Sequence, residues 1–341
     1  VRGSAVIEDR HVTLAHGNGG RFMRELIAGI FARHLGNPAL DTRLDAAPLD
    51  LPPGMVPLIT TDAFTVQPLE FPGGDIGSLA VNGTVNDLAV SGAQPRFLTL
   101  NAIIEEGLEV ACLERIVRSL GVAAHEAGVC VVAGDTKVVP RGQGGGHYLA
   151  TTGVGLRAAE CRLGLDLIRP GDALLFSGPV GDHGIAVMLA RESFDISGAV
   201  RSDCAPVTKL TAPLAGLPGV RFMRDPTRGG LATVAHEIAA ATGLGVRLVE
   251  MRVPVREAVR SFCHMLGYDP YYLACEGRVV AVVAPEIAEA VLSTWRALPG
   301  GAEASAIGTV GEGAGRVVLE TEIGGERFVE ELEDDPLPRI C

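Results

Sequence analysis

Four aspartates stand where an ordinary core does not tolerate a carboxylate. Asp62 ends the run Pro57-Leu58-Ile59-Thr60-Thr61, and Asp87 lies among Ile76, Leu79, Val81, Val85, Leu88 and Val90, beside Asn82 and Asn86. Asp135 follows Val131-Val132-Ala133-Gly134, with Lys137 two residues on. Asp225 follows the apolar run 220–223 and precedes Pro226-Thr227-Arg228-Gly229-Gly230. A buried carboxylate without a partner is costly, so each needs a cation, a metal or hydrogen-bond donors. Singly, each has an ordinary explanation: a turn cap for Asp62, a surface position for Asp87, a helix N-cap for Asp225. Repetition beside glycines points further, to oxygen ligands for Mg²⁺ shared with substrate phosphates in one small-molecule-sized cleft. His16-Gly17-Asn18-Gly19-Gly20, just before the amphipathic stretch of Phe22, Leu26, Ile30 and Phe31, can aim backbone N–H groups at an anion. A flexible turn is the alternative there.

Cys341 supplies a different reagent. It closes an acidic run with two prolines, Glu330-Glu331-Leu332-Glu333-Asp334-Asp335-Pro336-Leu337-Pro338-Arg339. Like charges and prolines resist helix and sheet, so residues 330–341 are expected to be extended and solvated, reaching on the order of 40 Å. The thiol reads as a reactive group on a swinging arm, or as a frayed terminus that happens to end in Cys. Cys112, Cys130 and Cys263 fall in apolar stretches and are expected to be inert core residues.

The elements that must position these groups alternate. Residues 56–62, 97–104, 129–133 and 148–156 read as strands, and 76–91 and 110–126 as helices apolar on one side. A second unit follows, with strands at 173–177, 246–250, 279–283 and 307–310 and helices at 180–190, 228–241 and 285–298. The pattern predicts an α/β (α+β) chain in two domains. A glycine-rich segment spans 1–36, a first domain 37–157, a second domain 158–329 and a tail 330–341.

With 29 basic and 41 acidic residues the net charge is -12, which argues against nucleic acid or an anionic membrane as partner. The seven cysteines are odd in number and have no CxxC spacing, as expected of a protein kept in a reducing cytoplasm. No apolar run reaches transmembrane length.

Several of these segments together resemble a known family. Thr60-Thr61-Asp62, Phe71-Pro72-Gly73-Gly74-Asp75-Ile76-Gly77 and Asn82-Gly83-Thr84-Val85-Asn86-Asp87-Leu88-Ala89 form one part of the set. Gly134-Asp135-Thr136-Lys137, Arg224-Asp225-Pro226-Thr227-Arg228-Gly229-Gly230-Leu231-Ala232 and the closing Pro338-Arg339-Ile340-Cys341 complete it. Over essentially its whole length the chain resembles the HypE family of nickel–iron hydrogenase maturation proteins. Aminoimidazole ribonucleotide synthetase and selenophosphate synthetase are wider relatives, from which the Pro-Arg-Ile-Cys ending separates HypE. Two positions depart from the pattern: Ala133 stands where Gly is commoner, and Cys275 where Asn is commoner before Glu276-Gly277.

The resemblance implies an aminoimidazole ribonucleotide synthetase-like fold, dimerised through its N-terminal domains, with ATP in a cleft. It implies that a HypF-type carbamoyltransferase loads the Cys341 thiol, that ATP drives dehydration of the carbamoyl group to a thiocyanate, and that the cyanide passes to a HypC–HypD complex. Phosphorylating the carbamoyl oxygen makes it a good leaving group, a step that needs positioning and charge neutralisation. On this footing Asp62, Asp87, Asp135 and Asp225 handle Mg²⁺ and phosphate, and His16, Gly17, Gly19 and Gly20 close over the phosphates. Asn86, Thr136 and Thr227 join the nucleotide contacts, and Lys137 and Glu276 take the acid–base work. Without the resemblance, Glu276 reads as a solvated turn acid, and Arg339 either as a solvated charge or as an aid to the thiolate. Two other readings compete. One is a same-superfamily synthetase acting on a free small molecule, and the other a non-catalytic nucleotide-binding scaffold.

Overall fold

The structure, a computed structural model, describes residues 9–42, 44, 46–192, 200–312 and 314–332. Its first unit opens with α1 (Arg21–Leu26), a wide turn over Ile27–Phe31 and α2 (Ala32–Leu35). There follow β1 (Met55–Phe64), the two-residue strands β2 (Glu70–Phe71) and β3 (Gly74–Asp75), and α3 (Ile76–Val90). Then come β4 (Gln94–Glu105), α4 (Val110–Ala127), β5 (Cys130–Val139) and β6 (His147–Ala158).

Four of these strands form a sheet in the order β1-β6-β4-β5, in which β4 and β5 are parallel and joined through α4. Alternation along β4 buries Leu98, Leu100, Ala102 and Ile104 on the helix-covered face and leaves Asn101 and Ile103 on the other. Amphipathic α4 buries Val110, Leu113, Ile116, Val117 and Leu120 and ends at Gly128, which supplies the left-handed φ of 71°. The Asp75 carboxylate caps α3, accepting from Gly77 N at 2.7 Å and Ser78 N at 2.9 Å. Nearly every residue of α3 is buried, because its far end (Ala89, Val90) enters the core of the second unit beside Trp295.

The second unit contains β7 (Ala173–Phe176), α5 (Asp182–Glu192), α6 (Thr208–Thr211), β8 (Val220–Arg224), α7 (Gly230–Thr242) and β9 (Gly245–Val249). It continues through α8 (Glu257–Leu266), β10 (Val280–Val283), α9 (Ala288–Arg296), β11 (Ser305–Gly311), β12 (Val317–Glu320) and β13 (Glu326–Phe328). Its seven strands run in the order β13-β12-β9-β11-β7-β10-β8, with only β12 and β9 parallel. Central β7 and β10 are buried at every position, which is why 173–176 and 280–283 read as unbroken apolar runs.

The alternation expected from sequence is present, with shifted ends. The strand expected at 129–133 runs on to Val139, so Asp135 lies within it, and the strand expected at 56–62 runs to Phe64. The segment 285–298 begins as a 3₁₀ turn at Pro285–Ile287 before α9. Cys263 is buried, whereas Cys112 and Cys130 are only half-buried. Among the described residues no helix is long and apolar enough to cross a membrane.

Candidate active site

Three of the four aspartates and Glu276 line one narrow cleft. Asp62, Phe64, Gly83, Asp87, Asp225, Thr227, Arg228 and Glu276 surround about 40 Å³ between the two units. Asp62 reaches it from β1 and Asp87 from α3. Thr60, two residues before Asp62 and therefore on the same face of β1, donates through Oγ1 to Asp87 Oδ2 at 2.9 Å. Asp225 and Thr227 come from the turn after β8, where Thr227 N donates to Asp225 O at 3.1 Å. That turn passes into α7 through Gly230, whose φ is +58° and whose missing Cβ would lie 2.5 Å from Leu273 O. Only glycine satisfies both conditions.

This cleft holds more carboxyl groups than nearby cations offset. Among the described residues, none of Asp62, Asp87, Asp225 and Glu276 has a Lys or Arg nitrogen within 4.0 Å. Burial, then the neighbouring Asp87 and Asp62, push Asp225 up to about 7. Burial also raises Asp87, against the Thr60 hydrogen bond. Burial followed by Asp225 and Asp203 drives Glu276 well above the usual carboxylate range. Such a donor set fits Mg²⁺, which takes one or two carboxylates, keeps waters and shares phosphate oxygens. Among the described residues no three His, Cys, Asp or Glu side chains close into a cage of their own.

Asp135 is elsewhere, and the expectation of one cleft for all four aspartates is corrected for the single chain. In the sheet register, Asp62 pairs with Thr151, in line with Leu100 and Gly134. Asp135 is in line with Asn101, Ala150 and Ala63, one row on. Adjacent rows point to opposite faces, and β1 and β5 are opposite edges, about 14 Å apart at the usual strand spacing. Asp62 thus faces the helices while Asp135 and Lys137 project from the other face. Lys137 Nζ pairs with Asp135 Oδ2 at 2.9 Å, and that hydrogen bond holds the Asp135 carboxyl below its ordinary value. Lys137 and Glu276 therefore do not meet within one chain.

A second grouping forms around Asp135. A cleft of about 480 Å³ is walled by Met23, Ile27, Phe31 and Leu35 and reaches Gly134, Asp135 and Thr136. The hydroxyl of Thr136 is buried there without a hydrogen-bond partner among the described residues. The glycine segment anchors near the same strand: a Cβ at Gly17 would meet Val138 at 2.9 Å, while Gly19 and Gly20 face open space. His16 is buried, its Nδ1 accepting from Thr13 N at 3.1 Å and its Nε2 lying 3.4 Å from Asp9 Oδ2.

Asn86, expected among the nucleotide contacts, is turned inward. Its Nδ2 donates to Ala205 O at 3.1 Å and Glu276 O at 3.0 Å, and its Oδ1 accepts from Val207 N at 2.8 Å. The Cys275 sulfur accepts from Gly181 N at 3.3 Å, so the thiol serves as the local acceptor where Asn is commoner. Thr60 and Arg228 are the members that sequence reasoning passed over. The alternation Thr60–Asp62 and the Asp225–Gly230 segment were the signals available for them.

Cys341 lies outside the described residues. The approach to it does not. Val329 is buried in the second unit, Tyr272 Oη donates to Glu330 O at 2.7 Å, and His236 Nε2 lies 2.9 Å from Val329 O. Leu332 Cδ1 then packs over Gly229, two residues beyond cleft-lining Thr227.

Comparison with known proteins matches this architecture. Residues 43–157 match the N-terminal domain, and 169–320 the C-terminal domain, of AIR synthase related proteins. A carbamoyl dehydratase HypE from Azotobacter vinelandii is 49% identical over 97% of this chain and 97% of its own. A crystal structure of hydrogenase maturation protein HypE in complex with ATP superposes with a TM-score of 0.92 at 46% identity, covering 96% of this chain and 99% of the other. A HypE–HypF complex contains a chain of TM-score 0.79 at 42% identity, covering 92% of this chain and all (100%) of the other. With two domain matches spanning most of its length and relatives at this identity, the chain belongs to the HypE family of the AIR synthase related proteins.

Proposed function

We propose that the chain is an ATP-dependent dehydratase that converts an S-carbamoyl group on its own Cys341 into a thiocyanate, the source of the cyanide ligands on hydrogenase iron. The observation that carries this reading is the cleft where Asp62, Asp87, Asp225 and Glu276 meet with no ion-paired Lys or Arg among the described residues. It joins the ATP complex of a relative and the name carbamoyl dehydratase borne by another.

The carbamoyl oxygen attacks the γ-phosphorus as the bond to ADP breaks. The C–O bond then breaks with phosphate leaving, both amide protons depart, and the S–C≡N triple bond is complete. Asp62, Asp87 and Asp225 would hold Mg²⁺, whose charge neutralises the phosphoryl oxygens during transfer. Glu276, buried beside them, accepts an amide proton once ionised, and Lys137 orients or protonates the departing phosphate. Thr227 and Arg228 contact phosphate oxygens, and the cleft ending at Asp135 and Thr136 takes the nucleoside. Gly17 to Gly20 close over the chain of phosphates.

Asp62 and the Asp135–Lys137 pair, on opposite faces and opposite edges of one sheet, call for a second copy. A homodimer that meets through the uncovered face, where Ile59 is 73% and Ile103 38% exposed, joins the Asp62 half of one protomer to the Asp135 half of its partner. A HypF-type enzyme, seen with a relative in a HypE–HypF complex, is the source of the carbamoyl group. A HypC–HypD complex receives the cyanide.

The test is mass spectrometry of the C-terminal peptide after incubation with a HypF-type carbamoyltransferase, carbamoyl phosphate and MgATP. The expected product is a carbamoyl adduct that loses one water only with hydrolysable ATP. An unmodified Cys341 under conditions that modify a known relative overturns the reading.

A further inference from the structure

Helix α3 meets three different surroundings. Gly83 and Asp87 face the acid cleft, while Ala89 and Val90 enter the apolar core around Trp295. Asn82 and Asn86, four residues apart and so one above the other, face the segment 203–207 and the Glu276 peptide. Asn82 Nδ2 donates to Cys204 Sγ at 3.4 Å. Asn86, only 1% exposed, uses both amide hydrogens and one carbonyl lone pair on Ala205 O, Glu276 O and Val207 N.

The Glu276 backbone is held at both ends. Its carbonyl accepts from Asn86, and its N–H donates to Asp203 Oδ1 at 3.1 Å. Asp203 is in turn fixed by Arg278, whose Nε lies 3.2 Å from Asp203 Oδ2. Gly277 adds a steric constraint, since a Cβ there would collide with the Asp203 carbonyl. The segment bearing the Glu276 carboxyl thus has little freedom, and one of the two hydrogen bonds that hold the Glu276 peptide comes from the other unit of the fold.

We infer that Asn86 is a positioning residue for the dehydration step: it locks the Glu276 peptide to the helical turn that carries Asp87, so that proton acceptor and phosphate-handling carboxylate keep one fixed spacing across the two units. The inference rests on the dehydratase reading above and assigns Asn86 to the reaction without any contact to nucleotide. Asn86 and Asp87 are consecutive on one helix, so any relative movement of the two units carries both together. Misplacing a proton acceptor by about 1 Å costs on the order of a hundredfold in rate while leaving ligand binding largely alone.

The experiment uses the full-length chain, carbamoylated at Cys341, and follows single-turnover water loss after addition of MgATP, alongside MgATP affinity by calorimetry and the melting temperature. Asn86→Ala and Asn86→Ser are compared with wild type and with Val90→Ala, which loosens the same helix in the core of the second unit without touching Glu276. The expected result is dehydration slowed at least about tenfold in both Asn86 variants with MgATP affinity within about twofold, and near wild-type dehydration in Val90→Ala at a similar or larger loss of melting temperature. Rescue of part of the rate in Asn86→Ser relative to Asn86→Ala supports the inference further. Wild-type rates in the Asn86 variants, or a loss no greater than that of Val90→Ala at equal loss of melting temperature, overturn it. A wild-type chain that binds MgATP and carries the carbamoyl group yet never loses water overturns the dehydratase reading itself, a result the variants do not enter.

Discussion

The hydroxyl of Thr60 donates to Asp87 Oδ2 at 2.9 Å, tying the edge strand β1 to the buried helix α3 at the mouth of the acid cleft. It is the hydrogen bond that opposes the effect of burial on Asp87. Thr60→Val keeps the shape and deletes the donor. We expect it to cost about 1–2 kcal/mol in urea unfolding at pH 7 and to raise the Mg²⁺ concentration needed for half-maximal ATP turnover. An unchanged metal requirement would show that Asp87 needs no such support.

A site shared between two protomers has a signature in mixtures. Asp62→Asn and Asp135→Asn are each expected to abolish turnover alone. Unfolded together and refolded, half the dimers are mixed and each holds one intact site, so activity returns to about a quarter of wild type. If the mixture stays as inactive as its components, each site does not take Asp62 from one chain and Asp135 from the other, and the shared site is overturned.

Stability has a pH dependence away from the cleft. Burial holds His147 down to about 4, with Nδ1 3.3 Å from Ile103 O and Nε2 buried without a partner among the described residues. Its folded value lies below its unfolded one, so the unfolded chain binds the proton first. Stability is therefore intact above about 6.5 and falls as pH drops toward 4. At pH 5 the loss relative to pH 7.5 is about 2 kcal/mol from this group. His147→Gln should flatten that part of the urea-derived profile, and an unchanged slope would remove His147 as its source.

Proton release reports on the cleft directly. Near pH 6 Asp225, raised to about 7, is largely protonated without a metal. If Asp225 holds Mg²⁺ as proposed, binding MgATP requires the carboxylate, so calorimetry in buffers of different ionisation enthalpy should register release of up to about one proton. The release should disappear in Asp225→Asn.

Much of this was legible before the fold was seen. The apolar runs of β7 and β10 and the spacing of α4 marked elements, and the carboxylates at 62, 87 and 225 stood out against them. Their convergence with Glu276 was not readable from residue types, because a solvated turn acid and a buried one look alike in sequence. Nor was the separation of Asp62 from Asp135, since strand order and row parity belong to pairing and not to local pattern. The inward direction of Asn86, expected instead among the nucleotide contacts, is hidden for a related reason. On a helix buried all round, hydrophobic periodicity has no exposed side to measure from, and the direction of each polar residue is set by the neighbouring unit. Helix α8, with Val259, Phe262 and Cys263 at three- and four-residue spacing, carried a signal too short to stand out.

Val329 in the core and Leu332 over Gly229 fix the root of the terminal arm beside the cleft-lining loop. Nine residues, 333–341, follow that root, a contour length of about 30 Å. On the dehydratase reading, a reactant tethered through so few residues would be present at an effective concentration on the order of millimolar, however dilute the protein. On the dehydratase reading the enzyme thus has no saturation curve for its organic substrate. Turnover would be first order in loaded protein and indifferent to dilution. The rate at which the partner delivers carbamoyl groups would govern the supply of cyanide.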